Sequence, residues 1–359
     1  MTFRVTASSL NVRDAPNGNV VGTLTQGAEV EIQAQQDGWA QVTPDAAGAG
    51  GWVAAQYLAQ AGAGGMPQAD SPQNLVTVAG GDAVGPDGQV FAHSHALGFY
   101  TTGLTSLADW LQTPDGAGAT VSPSRVRVVR AVSANEGNLE AINTWDNSFL
   151  SFGLFQWTAG PDGAPGELAA LVAQAKAADA GVFQDCFGGY GLDAQVSGPA
   201  AVSGFLTLNG ARLVTAADKT PLRDADWAYR FWRAGHHPVI RHCQLALAAS
   251  RIDRFLTLPV AGQPLNAWLS SEQGIALILD EHVNRPGHVP GTLATALAAE
   301  GLTGANPSGW TSADEASLIA AYLTARAPTS MTDSQKRADQ IAACVAAGVL
   351  SGDRGSFIP

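Results

Sequence analysis

Cysteine is nearly absent from this sequence. The three that occur, Cys186, Cys243 and Cys344, lie far apart, and no CxxC pair is present. That spacing excludes a zinc ribbon or a redox motif, and an odd number speaks against a disulfide-framed fold. The thiols are expected to be buried and free. Long apolar runs are also missing. None approaches the roughly 18 residues of a membrane-spanning helix, so none is expected. Met1-Thr2-Phe3-Arg4 opens into a strand pattern with no basic segment and following apolar run, so no signal peptide is expected. Positive charge is in deficit, with Lys+Arg 19 against Asp+Glu 31 and a net charge of −12. A chain so acidic is a poor partner for nucleic acid, because phosphate binding needs a basic surface. It is equally poor at electrostatic capture of anionic membranes or wall polymers. A polymer bound by this chain must be held by hydrogen bonds and stacking.

What is present is length and apolar content: 359 residues, 46% of them hydrophobic, enough for two or more domains and a substantial core. Gly 41 and Pro 19 point to many turns. Residues 3–58 read as a small all-β module. Short alternating runs at Leu10-Asn11-Val12, Val20-Val21, Val30-Glu31-Ile32, Trp39-Ala40-Gln41-Val42 and Gly51-Trp52-Val53 are separated by Asp14-Ala15-Pro16-Asn17-Gly18, Gln26-Gly27 and Asp37-Gly38. Leu10-Asn11-Val12-Arg13 with Pro16, then Gly22 and Leu24, Gly27-Ala28-Glu29-Val30, Gly38-Trp39, Gly51-Trp52-Val53 and Tyr57-Leu58 together resemble the bacterial SH3-like domain. The resemblance implies a small barrel over 1–59 that binds cell-wall peptide or serves as an attachment module. Trp39, Trp52 and Tyr57 are its candidate wall-binding aromatics. Residues 60–74, QAGAGGMPQADSPQN, are a linker by composition.

The remainder, 75–359, is expected to be one catalytic domain. Its lead-in, 75–121, carries a strand pattern at Leu75-Val76-Thr77-Val78 and a short helix over 104–111 with Thr105 as cap. His93 and His95 form an HxH. The upstream histidine and aspartate of a zinc peptidase site are missing, so a loop or strand entry is expected there.

The chain is organised around 122–160. Ser122 is a candidate N-cap, Pro123 suits the first helical position, and Val126, Val129 and Val132 repeat at helical spacing. Gly137 is read as a left-handed terminator. That leaves Glu136 at the helix end, turned into a cleft. Asp146 follows in the polar stretch 143–148, and Ser151-Phe152-Gly153-Leu154-Phe155-Gln156-Trp157 returns as an apolar segment. Two carboxyls with pKa values pushed apart divide acid and base work. Glycoside hydrolysis requires that division.

Ser151 to Gln156 is similar to the Gly-Leu-Met-Gln signature that follows the catalytic Glu of goose-type lysozymes and lytic transglycosylases. The succession Glu136, Asp146, Ser151 resembles the Glu, Asp, Thr series of phage-type lysozymes. Each gap differs by one residue, and Ser replaces Thr. The resemblance to the lysozyme superfamily implies a mainly α (α+β) fold with β insertions. By it Glu136 is the general acid, Asp146 the carboxylate that holds water or stabilises charge on the ring, and Ser151 and Gln156 cleft-lining groups. Trp145 and Trp157 are candidate sugar platforms.

Beyond this stretch, helices are expected over 166–180 and twice within 222–257, with an Asn209-Gly210 hairpin between 205 and 214. His236, His237 and His242 cluster without acid-ligand spacing, so no metal is implied. Ser270 with Gln273, Ser312 with Glu315, and Thr332 with Gln335 read as capping boxes. Asn284-Arg285-Pro286-Gly287-His288-Val289 is similar to the Asn-Ala-Gly-Pro-Gly-x-Val element of transglycosylases. Val283 stands where those enzymes carry Tyr, which favours hydrolysis. Asn284 and Arg285 are cleft candidates. The helical tail, 300–359, is expected to pack and to carry no chemistry.

The expected function is a bacteriolytic peptidoglycan hydrolase of muramidase type, without metal or organic cofactor. Made without a signal, it would be brought to the wall by a phage or a contractile injection system. The alternatives are a lytic transglycosylase, a chitosanase-like glycosidase, and a non-catalytic wall-binding protein of a phage tail or injection device.

Overall fold

Alternation along the N-terminal strands produces the first element of the fold. The computed structural model describes residues 2–5, 9–25, 28–36, 38–43, 50–60, 66–71 and 75–359. The Gln26-Gly27 turn and parts of the 60–74 linker lie outside these residues. The chain forms two compact units, 1–91 and 92–359. The division falls inside the strand Val90–His95, further along than the linker that composition marks.

In the first unit seven antiparallel strands pair in the spatial order Val20–Thr25, Ser9–Arg13, Gly51–Ala54, Trp39–Val42, Glu29–Gln36, Thr2–Val5, Leu58–Gln60. Leu10, Val12, Leu24, Val30, Ala40, Val42 and Val53 close a core with Val5. Since side chains alternate across a strand, Trp39 and Gln41 face outward where Ala40 and Val42 face inward. Trp52 stands opposite both Gln41 and Arg13, and the Arg13 guanidinium lies 5.7 Å from the Trp39 ring. Trp39 and Trp52 are therefore half-buried outer-face residues, and Tyr57 is exposed. A short hairpin, Thr77–Ala79 with Asp82–Val84, follows in the same unit.

The second unit is mainly helical. The Glu272–Asn284 helix lies at its centre because Ile275 to Leu279 are apolar on every face, each at most 2% exposed. The Pro123–Ser133, Pro238–Leu256 and Ser334–Ala346 helices pack around it. Val289–Ala299 and Ser312–Arg326 pack on each other. The strands Gly98–Thr101, Ile142–Asn143, Ser151–Phe152 and Trp157–Thr158 pair antiparallel in that order beside Val90–His95. The hairpin insert forms from Gly204–Leu208 and Ala211–Arg212, with Asn209 and Gly210 both at positive φ, as a two-residue turn demands. No described helix is long and apolar enough to cross a membrane.

Caps shift by a residue or more from the sequence pattern. Ser271, not Ser270, caps the central helix. Ser270 instead hydrogen-bonds buried Glu315, which also accepts the Ser271 N–H at 2.7 Å. The next capping box is Thr311 with Asp314, which frees Glu315 for that role. The final helix starts at Ser334 without a side-chain cap. The short lead-in helix is Leu107–Trp110, capped by Ser106 rather than Thr105.

Lys219 fixes the loop that leaves the sheet. It is 1% exposed and donates to the carbonyls of Gly160, Pro161 and Ala164 at 2.6–2.9 Å. Burial holds its pKa below the ordinary lysine value. Lys219→Met leaves those carbonyls without their donor, and about 3 kcal/mol of stability should be lost. Thermal denaturation of the two proteins measures it.

Candidate active site

The Pro123–Ser133 helix buries Val128, Val129, Ala131 and Val132, and Pro123 takes its first position as expected. It stops three residues before Glu136. The Glu136 N–H still donates to the Ser133 carbonyl at 3.0 Å, so Glu136 sits in the turn that follows rather than on the helix. Ser122 makes no cap bond.

Gly137 does not take the left-handed conformation read from the sequence. Glycine suits the position through crowding instead. A Cβ there would lie 3.1 Å from the Gly153 carbonyl and 3.2 Å from Gln156 Nε2. The apolar return segment is thereby pressed against the residue after Glu136. Gly153, with φ +76°, leaves space that the Gln244 amide occupies. Gln244, fully buried, accepts from the Leu154 N–H at 3.0 Å and donates to the Leu139 carbonyl at 2.9 Å. It ties the return segment to the turn carrying Glu136. Gln156 donates to the Gly153 carbonyl at 2.9 Å, so its amide nitrogen braces the turn.

Below the turn, buried Glu140 accepts the N–H groups of Leu104 and Thr105 at 3.1 and 2.9 Å and pairs with Arg241 at 2.6 Å.

The Glu136 carboxyl meets two other side chains. Asn284, at the end of the central helix, donates to its Oε1 at 3.1 Å. Arg337, from the C-terminal helix, pairs with the same oxygen. Arg337 also holds Asp280, from Nη2 at 2.6 Å and Nε at 2.9 Å. Asp280 in turn accepts from Arg326 at 3.0 Å. Asp280 and Arg326 are at most 1% exposed, whereas the Glu136 side chain keeps 14%. Exposure thus rises along this chain of ion pairs from Asp280 and Arg326 through Arg337, at 9%, to Glu136. Arg251 lies within electrostatic range of Glu136, but its own charge is paired with Glu167.

Burial raises the Glu136 pKa above the ordinary carboxyl value. Arg337 and Asn284 oppose the rise, and the charge of Asp280 adds to it. Because Arg337 is divided between two carboxyls, it does not hold Glu136 as a simple ion pair would. A desolvated carboxyl that retains its proton is what acid catalysis needs.

Asp146 is half-buried and belongs to a different cluster. Its oxygens accept from Ser148 N–H at 2.7 Å and Asn143 Nδ2 at 3.0 Å. Arg223 binds the carbonyls of Thr144 and Asp146 at 2.7 and 2.6 Å and fixes this loop.

Trp145 is 37% exposed and stands edge-on to His95 with centroids 4.6 Å apart. Trp157 is not a platform. It is 1% exposed and packs beside Phe155, because pairing with Phe152 puts it on the core face of the sheet. Ser151 is 3% exposed and recessed. Arg285 turns away from Glu136 to pair with buried Glu281, so its part is structural. His236 and His242 lie edge-on to Trp232 and Trp110 at 4.5 and 4.9 Å.

The tail expected to carry no chemistry supplies Arg326 and Arg337. With Asp280, these are the site residues that sequence reading missed.

A family model for the bacterial SH3 domain matches residues 8–59. No curated protein and no solved structure matches the chain.

Proposed function

We propose that a bacterial SH3 domain here holds a cell-wall polymer and that the second unit hydrolyses its glycan strand, with Glu136 as general acid. The observation that carries this reading is the placement of the Glu136 carboxyl, mostly buried yet partly open and oriented by Asn284 and Arg337, where burial favours its protonated form. Protonated Glu136 gives its hydrogen to the glycosidic oxygen as the bond from that oxygen to the anomeric carbon breaks. The anomeric carbon becomes oxocarbenium-like and bonds the oxygen of water, whose proton passes to Asp146 in an inverting reaction or back to Glu136 in a retaining one. Asp146, oriented by the Ser148 N–H and Asn143, is the proposed second carboxyl group, positioning that water or stabilising the positive ring. Asp280 is too deeply buried to reach a substrate and serves to fix Arg337. Gln156 braces the turn that follows Glu136.

Mass spectrometry of digested peptidoglycan tests the reaction. Reducing muramic acid ends support it. Anhydro ends would indicate a transglycosylase, and cleaved stem peptides would remove the glycosidase reading altogether. A chitosan-type substrate is the second reading, favoured by the net charge of −12, which suits a cationic glycan better than an anionic wall.

Arg337 gives a pH prediction. Its charge lowers the Glu136 pKa, so Arg337→Met should raise that pKa further. The acid then stays protonated to higher pH, and the basic limb of the kcat/KM profile should move up. A limb that moves down or stays fixed speaks against Glu136 as the proton donor.

A further inference from the structure

Strand register divides the residues of the second unit's sheet between two faces. Tyr100 stands opposite His93 on one side and Asn143 on the other, and Asn143 stands opposite Ser151. Directly paired residues share a face. The adjacent row, Ile142, Phe152 and Trp157, is on the other face and at most 1% exposed. The sheet thus buries one side and turns an aromatic and polar row outward at its His93–Tyr100–Asn143 end.

That end is a platform of rings. Tyr100 is 41% exposed and Trp145 37%, and the imidazoles of His93 and His95 are exposed as well. Tyr100 lies 5.9 Å from each imidazole, and Trp145 joins through His95 at 4.6 Å. These exposed rings meet tilted or edge-on, and such ring faces, bordered by amide, phenol and imidazole groups, suit a ligand with a flat C–H face and a rim of hydroxyls. Nucleic-acid bases also stack on such platforms, but their phosphates would meet a chain of net charge −12. Trp145 also immediately precedes Asp146, whose loop Asn143 helps to hold.

We propose that Tyr100, His95 and Trp145, with His93 and Asn143 at the rim, form a pyranose-stacking subsite for an N-acetylhexosamine strand. This deepens the glycosidase reading and rests on it for the class of sugar. The probe is the β-1,4-linked hexamer of N-acetylglucosamine, titrated into the full chain. The readout is the indole resonance of Trp145, identified by its loss in Trp145→Phe. The resonance should shift saturably, and Tyr100→Ala should weaken the titration about tenfold, one ring contact's worth. Trp145→Ala should raise KM with kcat little changed, and Trp145→Phe should recover most of that loss. A Trp145 signal that does not move, a titration indifferent to Tyr100→Ala, or an equal shift with oligo-dT would overturn the subsite. Activity that survives Glu136→Gln would instead remove the acid-catalyst reading, and the titration would still stand.

Discussion

Glu136→Gln is expected to lower the release of reducing ends from cell walls about a thousandfold, the range associated with loss of a positioned acid. The substitution keeps the shape of the side chain and its contact with Arg337. It removes the proton that the leaving oxygen needs, along with the charge that pairs with Arg337. Binding to walls should persist, because the SH3 domain at residues 8–59 is untouched. A non-catalytic wall-binding protein would show no change in any activity on this substitution. Protein that is folded and bound to wall but inactive is therefore the informative outcome. Pelleting with purified walls and thermal denaturation provide both controls.

Asp280→Ala should produce the largest loss of stability. Asp280 is fully buried between Arg326 and Arg337. Removing it leaves two guanidiniums in a low-dielectric interior without their shared anion. Breaking a buried ion pair from one side costs about 3–5 kcal/mol, much more than the pair is worth against an apolar replacement. Urea unfolding of the second unit should register the loss. The effect on Glu136 has a definite sign as well. The Asp280 charge raises the Glu136 pKa, and its removal leaves Arg337 to act on Glu136 alone. The Glu136 pKa should fall, and residual activity should decline at lower pH than in the parent. Arg337→Met and Asp280→Ala therefore move the basic limb in opposite directions.

Much of the first unit was legible because a strand's core side repeats every second residue. The runs Trp39-Ala40-Gln41-Val42 and Gly51-Trp52-Val53 were read as strands from that period, and burial puts Ala40, Val42 and Val53 inward. The helix before Glu136 and the hairpin at Asn209-Gly210 were legible for similar local reasons. Cap positions slipped where two candidates were adjacent. Ser270 and Ser271 both fit a cap, and only the tertiary demand of Glu315 decides between them. Trp157 reads as a candidate platform, but its pairing with Phe152 sends it inward.

The partners in the ion-pair chain behind Glu136 could not be read from sequence. Asp280 meets Arg337 across 57 residues, and Arg337 meets Glu136 across 201. A partial signal was present. Asp280-Glu281 follows directly on the apolar run Ile275 to Leu279, and a carboxylate in a buried helix must find a cation. Sequence indicates that such a partner exists; only the packing of the final helices identifies it.

Titration of the Glu136 carboxyl by 13C NMR, assigned through its absence in Glu136→Gln, is the most direct check on the proposed mechanism. Glu136 should titrate above the ordinary glutamate value of 4.5, with a midpoint matching the basic limb of kcat/KM. A carboxyl that titrates at or below that value, or a basic limb set by another group, would contradict acid catalysis by Glu136.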